Sequence, residues 1–238
     1  MLKIVGLTKK YGDKIAVNDL SLEIGAGEIC AFIGHNGAGK TTTLKACVGI
    51  HSFDEGEIYI DGISVKDSPM EAKRRIAYIP DNPDMYPFLS GIKYLNFVSD
   101  VYGVGSEKRN AIINDLASRF ELSSSLADPI SSYSHGMKQK LAVIAAFVHE
   151  PRLILMDEPF VGLDPKAAHL LKQMMREHCD KGGSIFFSTH VLDVAEKLCD
   201  RVAIIRKGVL VVSGDMAEVR GNTSLEEVFL ELEGAENA

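Results

Sequence analysis

One short stretch constrains the fold of this chain more than any other, residues 34–41 with the sequence GHNGAGKT. The stretch matches the pattern G-x-x-x-x-G-K-[ST] at every fixed position. An apolar segment of strand length precedes it at residues 29–33, and a segment that can form a helix follows it at residues 42–48. The order strand, glycine-rich loop and helix predicts a cradle in which backbone N–H groups surround a phosphate at the start of a helix.

The residue types in this loop indicate how a nucleotide would be held. We expect Lys40 to reach the β and γ phosphates and the Thr41 hydroxyl to hold Mg²⁺. A chance match of the fixed residues is expected in roughly one chain in a hundred of this length. Nucleotide binding is therefore the favoured interpretation, although the loop alone names no reaction. The predicted phosphate-site residues are Gly34, His35, Asn36, Gly37, Ala38, Gly39, Lys40, Thr41 and Thr42.

The composition is that of a globular domain, with 46% hydrophobic and 25% charged residues among 238. A formal net charge of −7 gives no electrostatic case for a nucleic-acid partner. We expect no signal peptide, and the longest apolar runs fall short of the ~20 residues that span a bilayer. The cysteines lack C-x-x-C spacing, which favours buried free thiols in a reducing compartment, the cytosol. They are Cys30, Cys47, Cys179 and Cys199.

The first part of the chain favours β structure. Residues 2–24 alternate apolar and polar side chains around a turn at Asp13, which predicts two strands. Residues 57–63 alternate in the same way and contain an Asp-Gly turn, which predicts a hairpin of the same lobe. Tyr11 precedes the first turn, where its ring could stack on a base, although a packed surface tyrosine is the commoner outcome for such a residue.

The middle of the chain changes character after a short buried strand predicted at residues 76–79. Helical periodicity at residues 94–98 and 112–117 indicates an α-helical insertion at approximately residues 83–150. Near the end of this insertion, a polar turn that contains Ser134 runs into an apolar helix. Ser134 suits a helix N-cap, and such a helix start can accept an anion, although a simply capped helix is the plainer explanation.

Two carboxylates end a buried strand further along the chain. Residues 153–156 are apolar, and Asp157 and Glu158 follow them directly. Such a strand can place Asp157 beside the metal of a phosphate-binding loop and Glu158 beside the terminal phosphate, where it can activate water. His190 follows another predicted strand, residues 184–188. A structural histidine and a histidine of the same site are about equally expected there.

The last part of the chain is predicted to alternate helices and strands. Two helices and then two antiparallel strands are expected at residues 166–179, 191–199, 202–205 and 209–212. Capping-box spacing between Ser224 and Glu227 predicts a short helix in the tail, residues 222–238. We expect this helix to pack on the body of the protein.

Taken in order, these motifs resemble the ATP-binding subunits of ABC transporters over nearly the whole chain. The similar segments are residues 34–42 for the Walker A loop, 133–137 for the signature, 153–158 for Walker B, 162–164 for the D-loop and His190 for the switch histidine. The resemblance implies an α/β fold, a P-loop NTPase core with a mainly parallel sheet, an N-terminal antiparallel β lobe and an inserted α-helical subdomain. Residues 1–238 would form a single ATP-binding domain, and Tyr11 falls where the family stacks adenine.

The resemblance further implies ATP and Mg²⁺ as cofactors and a mechanism that uses two subunits. In the family, Mg-ATP lies between two subunits packed head to tail, with the Walker A loop of one facing the signature of the other. The signature residues that would meet the partner's ATP are Ser134, His135, Gly136 and Met137. Glu158 would act as general base, His190 would contact the γ phosphate, and Thr41 with Asp157 would hold Mg²⁺. Asp164 would belong to the D-loop.

Two positions depart from the common pattern of the family. Asp81 stands where many members have Gln, and as the Q-loop equivalent this shorter acid could approach Mg²⁺ through water. In the signature, YSHGM stands for LSGGQ, but Ser134 and Gly136 are retained and the phosphate contact is expected to survive. His135 is either a neutral surface substitution, which we prefer, or a source of pH sensitivity at the dimer interface.

Further similarity suggests a partner and a place in the cell. Residues 86–91 and the ending LEEVFL at residues 225–230 are similar to ABC-2 exporters, whose membrane domain is typically a separate chain. We expect an integral membrane permease subunit docked between the helical insertion and the Asp81 loop, and a homodimer or heterodimer of ATP-binding subunits on the inner face of the cell membrane. The alternatives are a soluble ABC-type ATPase acting on ribosomes or DNA and a regulatory module without useful turnover. The sequence does not identify the transported substrate.

Overall fold

The computed structural model describes residues 1–234 of the chain, apart from the side chain of Glu233. The strands are β1 (Leu2–Tyr11), β2 (Lys14–Ile24), β3 (Ile29–Ile33), β4 (Glu55–Ile60), β5 (Ile63–Ser64), β6 (Ile76–Ile79), β7 (Leu153–Asp157), β8 (Ser184–Thr189), β9 (Arg201–Arg206) and β10 (Val209–Asp215). The helices are α1 (Lys40–Cys47), α2 (Pro69–Lys73), α3 (Gly91–Val101), α4 (Ser106–Arg119), α5 (His135–Phe147), α6 (Pro165–Asp180), α7 (Leu192–Leu198), α8 (Met216–Arg220) and α9 (Leu225–Gly234). Two 3₁₀ turns lie at Ser123–Ser125 and Ile130–Ser132.

A six-stranded sheet in the order β10-β9-β3-β8-β7-β6 forms the centre of the molecule. All neighbouring pairs are parallel except the edge pair β9 and β10. Strands β3, β7 and β8 are buried along their whole length, because layers of structure cover both faces of the sheet. The mainly parallel α/β core expected from the sequence is confirmed.

The two faces of this sheet belong to different apolar clusters. Alternate residues of a strand point to opposite faces, so Ala31 packs with the helical layer while Phe32 packs toward the N-terminal sheet. Phe32 also meets the ring of Phe186 from β8 at a centroid distance of 5.2 Å. Full burial of one such phenylalanine contributes about 2–3 kcal/mol to folding.

The N-terminal part forms a separate antiparallel sheet in the order β2-β1-β4-β5. Leu2 pairs with Ile24 on one side and with Ile60 on the other, which aligns the apolar faces of three strands. Asp61 and Gly62 form the turn between β4 and β5, with φ angles of 51° and 80°. Two positive φ angles match the tight turn of a two-residue hairpin, so the predicted hairpin is confirmed.

Helices α3, α4 and α5 lie within residues 83–150, where the sequence predicted a helical insertion. Their buried faces meet in the larger apolar cluster through residues such as Leu95, Ile113 and Leu141. The insertion is therefore helical as expected, and its status as a separate subdomain stays a prediction.

The C-terminal helix α9 has the predicted capping box. Glu227 N–H donates to the Ser224 hydroxyl at 3.2 Å, and the Glu227 carboxylate accepts from Ser224 N–H at 3.3 Å. The first helical residue, Leu225, is completely buried, so the helix packs on the body as expected. The last four residues of the predicted tail, 235–238, lie outside the described residues.

The four cysteines are buried free thiols, as predicted. Burial raises the pKa of the Cys47 thiol to about 12, which keeps it protonated and unreactive. In the described part of the chain, no helix is both long and apolar enough to cross a bilayer.

Candidate functional site

The parallel strands deliver their carboxyl ends to one edge of the sheet, and the predicted site residues follow those ends. The loop after β3 leads into α1, with Gly37 at φ 83° and Gly39 at φ 113°. A Cβ atom at Gly34 would lie 2.3 Å from the Ile205 carbonyl oxygen, and one at Gly39 would lie 2.6 Å from the Ala16 carbonyl oxygen. The two fixed glycines of the motif are thus required by backbone packing as well as by phosphate access.

Lys40 lies at the centre of this loop and is only 6% exposed. Its ammonium donates to the carbonyl oxygens of Gly34 at 2.5 Å and His35 at 3.3 Å, and lies 4.0 Å from a carboxylate oxygen of Glu158. Burial lowers the Lys40 pKa, and the nearby carboxylates of Glu158 and Asp157 oppose that shift. The side chain is therefore a desolvated cation held in place and attractive to an anionic ligand.

Asp157 joins the loop to β7 and β8. The Thr41 hydroxyl donates to one of its carboxylate oxygens at 2.6 Å, and the Ser188 hydroxyl donates to the other. Ser188 also accepts a hydrogen bond from Glu158 N–H at 3.0 Å. The Ser188 side chain thus orients both acids, a role that the sequence analysis missed although a buried serine near the end of an apolar strand is a visible signal.

Glu158 and His190 form a close pair next to Lys40. Glu158 takes a left-handed backbone conformation with φ 47°, and its side chain extends to within 4.0 Å of the Lys40 ammonium. One carboxylate oxygen lies 3.0 Å from Nδ1 of His190. The other oxygen is buried and has no hydrogen-bond partner among the described residues. A carboxylate with one oxygen oriented by a histidine and the other without a hydrogen-bond donor is suited to accept a proton.

Lys40, Thr41, Asp157 and Glu158 line a cavity of about 290 Å³, whereas Ser188 and His190 lie outside its lining. The cavity is lined by Tyr11, Lys14, Ala16, His35, Asn36, Gly37, Gly39, Lys40, Thr41, Thr42, Asp81, Asp157 and Glu158. The structure therefore brings residues predicted from four separate segments into one pocket, namely Tyr11, the loop at residues 35–42, Asp81 and the pair Asp157 and Glu158. It also adds Lys14 and Ala16, which the sequence analysis did not propose as site residues.

Asp81 reaches the same cavity from the loop after β6. The Tyr78 hydroxyl is buried without a hydrogen-bond partner in the described chain. Burial raises the Tyr78 pKa, and the carboxylates of Asp157 and Asp81 raise it further. Asp81, which stands in place of the usual Gln, and Asp157 therefore both lie close enough to Tyr78 to act on it electrostatically.

Tyr11 lies at the mouth of the cavity and is 45% exposed. Its hydroxyl is 2.9 Å from Nδ1 of His51, and the rings of the two residues meet edge to face. The ammonium of Lys9 lies 5.1 Å from the Tyr11 ring centroid. These contacts hold the ring at the cavity while leaving part of its surface to solvent.

The predicted signature lies elsewhere on the molecule, against the predicted D-loop. Ser134 caps α5 by accepting from Met137 N–H at 3.2 Å, as its sequence position suggested. A Cβ atom at Gly136 would lie 2.6 Å from the Gly162 carbonyl oxygen, and one at Gly162 would lie 2.3 Å from the His135 ring. The two segments are therefore packed in direct contact, and neither Ser134 nor Gly136 lines the cavity of its own described chain around Lys40.

Asp164 has a local structural role. Its carboxylate caps α6 by accepting from Ala167 N–H at 2.8 Å, and it pairs with the Lys140 ammonium at 2.7 Å. The hydrogen bond from Lys140, followed by that from Ala167, holds the Asp164 pKa below its usual value. This acid links α5 to the start of α6.

Gln139 makes a second link from α5, which the sequence analysis missed. Its side chain is completely buried and donates to the Pro159 carbonyl oxygen at 3.2 Å. Pro159 follows Glu158 directly, so the helix that begins at the signature is tied to the turn that carries the second carboxylate. A glutamine inside an otherwise apolar helix face is the signal that could have revealed this contact.

Comparison with known proteins shows the family of this chain. The family model described as ABC transporter matches residues 17–161. The ABC-type transporter ATP-binding protein EcsA of Bacillus subtilis (strain 168) is 32% identical over 237 residues, which cover 98% of this chain and 96% of that protein. Nod factor export ATP-binding protein I of Burkholderia orbicola (strain AU 1054) is 34% identical over 206 residues, with coverages of 87% and 68%.

A solved structure of an ATP binding subunit of an ABC transporter is also similar, with 35% sequence identity and a TM-score of 0.94. The match covers 98% of this chain and 99% of that one. Sequence, fold and the cavity around Lys40 lead to the same assignment. The chain belongs to the ABC transporter family, as one of its ATP-binding ATPase subunits.

Proposed function

We propose that this subunit hydrolyses Mg-ATP between two head-to-tail copies of an ATP-binding chain and uses the resulting opening and closing to drive a separate membrane subunit. The observation that supports this most directly is a buried oxygen of Glu158 that has no hydrogen-bond partner among the described residues and lies 4.0 Å from the Lys40 ammonium. An acid in that position can take a proton from water as it attacks the terminal phosphate.

The residues present fit a Mg²⁺ ion. Thr41 and Asp157 offer a hydroxyl and a carboxylate 2.6 Å apart, the hard oxygen ligands that Mg²⁺ prefers. Within the described residues there is no cluster of three or more acidic, His or Cys side chains able to hold a metal alone. Mg²⁺ is commonly bound by one or two protein groups together with phosphates and water, and Thr41 and Asp157 supply two such groups. When bound, the ion would neutralise charge on the phosphates.

Five residues in or beside the pocket have a defined part in this proposal. Lys40 binds the β and γ phosphates together with the backbone N–H groups of the loop. Glu158 accepts the proton of the attacking water, and His190 orients Glu158 through the contact at 3.0 Å and reaches toward the γ phosphate. Tyr11 stacks on the adenine, and Asp81 contacts the metal site through water.

The second half of the site would come from another subunit. Ser134 begins α5, so its hydroxyl, the nearby N–H groups and the positive end of the helix dipole form a surface suited to a γ phosphate. The contact of Gly136 with Gly162 joins this surface to the D-loop. ATP bound between the two chains would hold them together, and hydrolysis would release them.

The variant Glu158→Gln tests this part of the proposal. The amide cannot accept the water proton, so we expect ATP turnover to fall by about 10²–10⁴-fold while ATP still closes the dimer. Light scattering after size-exclusion chromatography with Mg-ATP measures the dimer, and phosphate release measures turnover. A variant that stays monomeric at saturating Mg-ATP would contradict the sandwich. The control Lys40→Ala should lose both ATP binding and dimerisation.

An exposed apolar patch supports the proposed membrane partner. The rings of Tyr86 and Phe97 meet edge to face. Phe88, two residues after Tyr86, is 94% exposed, and Val101, one helical turn after Phe97 in α3, is 65% exposed. A cavity of about 210 Å³ opens beside them between α3, α5 and the loop that follows β6. Large exposed apolar patches commonly mark binding surfaces. We infer that a cytoplasmic helix of an integral membrane permease docks here, which would hold the subunit at the inner face of the cell membrane.

Export is the direction we propose, because the similar protein from Burkholderia orbicola is described as a Nod factor export subunit. Pull-down of the tagged protein from solubilised membranes, with Phe88→Ser as the matched variant, tests the partner. Capture of a polytopic membrane protein by the unmodified chain and its loss with Phe88→Ser would support the proposal. Capture of ribosomal or DNA-repair proteins instead would favour a soluble ABC-type ATPase.

A further inference from the structure

The C-terminal helix covers the outer side of the phosphate-binding loop. The ring of Phe229 in α9 lies 5.3 Å from the ring of His35, with the two planes at 63°. His35 occupies a variable position of the loop motif, so phosphate binding itself does not require a histidine there. The contact gives this position a role that the motif does not explain.

Helix α9 is anchored at its start. The Leu225 N–H donates to the Glu196 carboxylate at 2.9 Å, and Arg220 pairs with the same carboxylate at 2.8 Å. Leu225 is completely buried, and Phe229 packs against the larger apolar cluster. Because buried and charged contacts determine where the helix begins, the position of Phe229 is set by the fold.

The far end of α9 is attached to the strand that supports the loop. The Arg206 guanidinium, at the end of β9, donates to the Leu232 carbonyl oxygen. The turn after β9 in turn holds the loop itself, because Gly208 N–H donates to the Ala38 carbonyl oxygen at 2.9 Å. The loop is therefore held from outside at two points, the turn after β9 and helix α9.

A cavity of about 410 Å³ lies between the loop, β9 and α9. Its lining includes Asn36 and Gly37 of the loop together with Phe229 and Leu232 of the helix. Residues 35–37 are exposed, and the Phe229 ring is a side-chain contact that reaches this turn from helix α9. Loss of that contact would remove the support that α9 gives to this turn.

We propose that α9 is a positioning element of the nucleotide site, with Phe229 holding His35 so that the loop keeps its phosphate-binding conformation. This inference rests on the proposed role of residues 34–41 as the phosphate site. When only a fraction of the molecules has the binding conformation, the apparent Kd for the ligand equals the intrinsic Kd divided by that fraction. Phe229 therefore acts on ATP affinity through His35 and does not contact the nucleotide.

The variant Phe229→Ala tests this coupling. Loss of one aromatic ring contact of this kind changes the equilibrium constant of the conformation it supports by roughly twofold to tenfold. We expect the Kd for the N-methylanthraniloyl derivative of ATP, and the KM for ATP, to rise by that factor while kcat at saturating ATP is retained. Phe229→Tyr, which keeps the ring, should restore both values. The matched control is Leu230→Ala, a neighbour that is 58% exposed on the same helix, and it should bind ATP like the unmodified chain.

A double-mutant cycle separates coupling from general destabilisation. In a His35→Ala background, Phe229→Ala should have little further effect on Kd, because the contact is already absent. Additive effects of the two substitutions, or an unchanged Kd for Phe229→Ala in a protein whose circular dichroism is normal, would overturn the inference. The Lys40→Ala variant keeps this result distinct from the proposed function. If Lys40→Ala abolishes ATP binding while Phe229→Ala leaves it unchanged, only the role of α9 is wrong.

Discussion

The hydroxyl of Ser188 offers a direct test of how the two carboxylates are positioned. It is completely buried, donates to Asp157 and accepts from Glu158 N–H. In Ser188→Ala, Asp157 loses a charge-assisted hydrogen bond, which costs about 1.5–3 kcal/mol. Glu158 N–H keeps a second acceptor, the Ser188 backbone oxygen at 3.2 Å, so that donor is not left unpaired.

These contacts predict two separate effects for Ser188→Ala. The free energy of unfolding should fall by about 2 kcal/mol, which lowers Tm by about 4–8 °C in a chain of this size. The acids Asp157 and Glu158 lose their common support, and small displacements of reacting groups cost up to about 10²-fold in rate. We therefore expect kcat to fall by about tenfold to a hundredfold, measured as phosphate release at saturating Mg-ATP.

Strand β8 supplies a matched control at its other end. Ser184 is equally buried, and its hydroxyl donates to the Gly25 carbonyl oxygen at 2.7 Å, far from the carboxylates. Ser184→Ala should lower the free energy of unfolding by about 1 kcal/mol and leave kcat unchanged. If Ser188→Ala loses stability as predicted but turns over ATP at the same rate as Ser184→Ala, the positioning role of Ser188 is refuted.

Three further predictions follow from particular contacts. Gly136→Ala should weaken ATP-dependent dimerisation without affecting ATP binding by the monomer, because its Cβ would lie 2.6 Å from the Gly162 carbonyl oxygen. Analytical ultracentrifugation measures the dimerisation, and nucleotide titration measures ATP binding. Burial lowers the His149 pKa, so the unfolded chain binds the proton more tightly and stability should fall as pH drops below the usual value of 6.5. His149→Phe, which keeps a ring stacked on Tyr102, should reduce the change in Tm between about pH 7.5 and 5.5. An acid sensitivity equal to that of the unmodified chain would contradict this assignment.

Much of the fold could be predicted from local patterns. The loop motif, the apolar runs of β3, β7 and β8, and the capping box of α9 each depend on residues close together in the chain. Short-range geometry of this kind follows from side-chain periodicity and turn chemistry, which are visible in the residues themselves.

Part of the pocket could be predicted from the order of the motifs along the chain. Lys40, Asp157, Glu158 and Asp81 all line one cavity, as the order of the motifs indicated. Their proximity follows from a general rule, since parallel strands deliver their carboxyl ends to the same edge of a sheet. The catalytic and metal-binding roles of these residues stay predictions that the variants above can test.

For other contacts, the residues nearby in the chain gave no indication of which partner the side chain would contact. Ser188 was identifiable as part of a strand, yet its bond to Asp157 joins residues 31 positions apart. Gln139 was identifiable as a helical residue, and only the packing of α5 brings it to the Pro159 carbonyl oxygen. Each contact depends on the relative placement of two elements, which the pattern of either element leaves undetermined.

The sequence by itself determined the nucleotide loop, the α/β class and the order of the acidic and signature segments, because these depend on residue type at short spacing. Only the tertiary structure decided that the Phe229 ring contacts His35, that the Ile205 and Ala16 carbonyl oxygens lie against the two fixed glycines, and that one oxygen of Glu158 is buried without a hydrogen-bond partner in the described chain. Such features arise where distant segments meet, and their distances are set by the packing of whole sheets and helices.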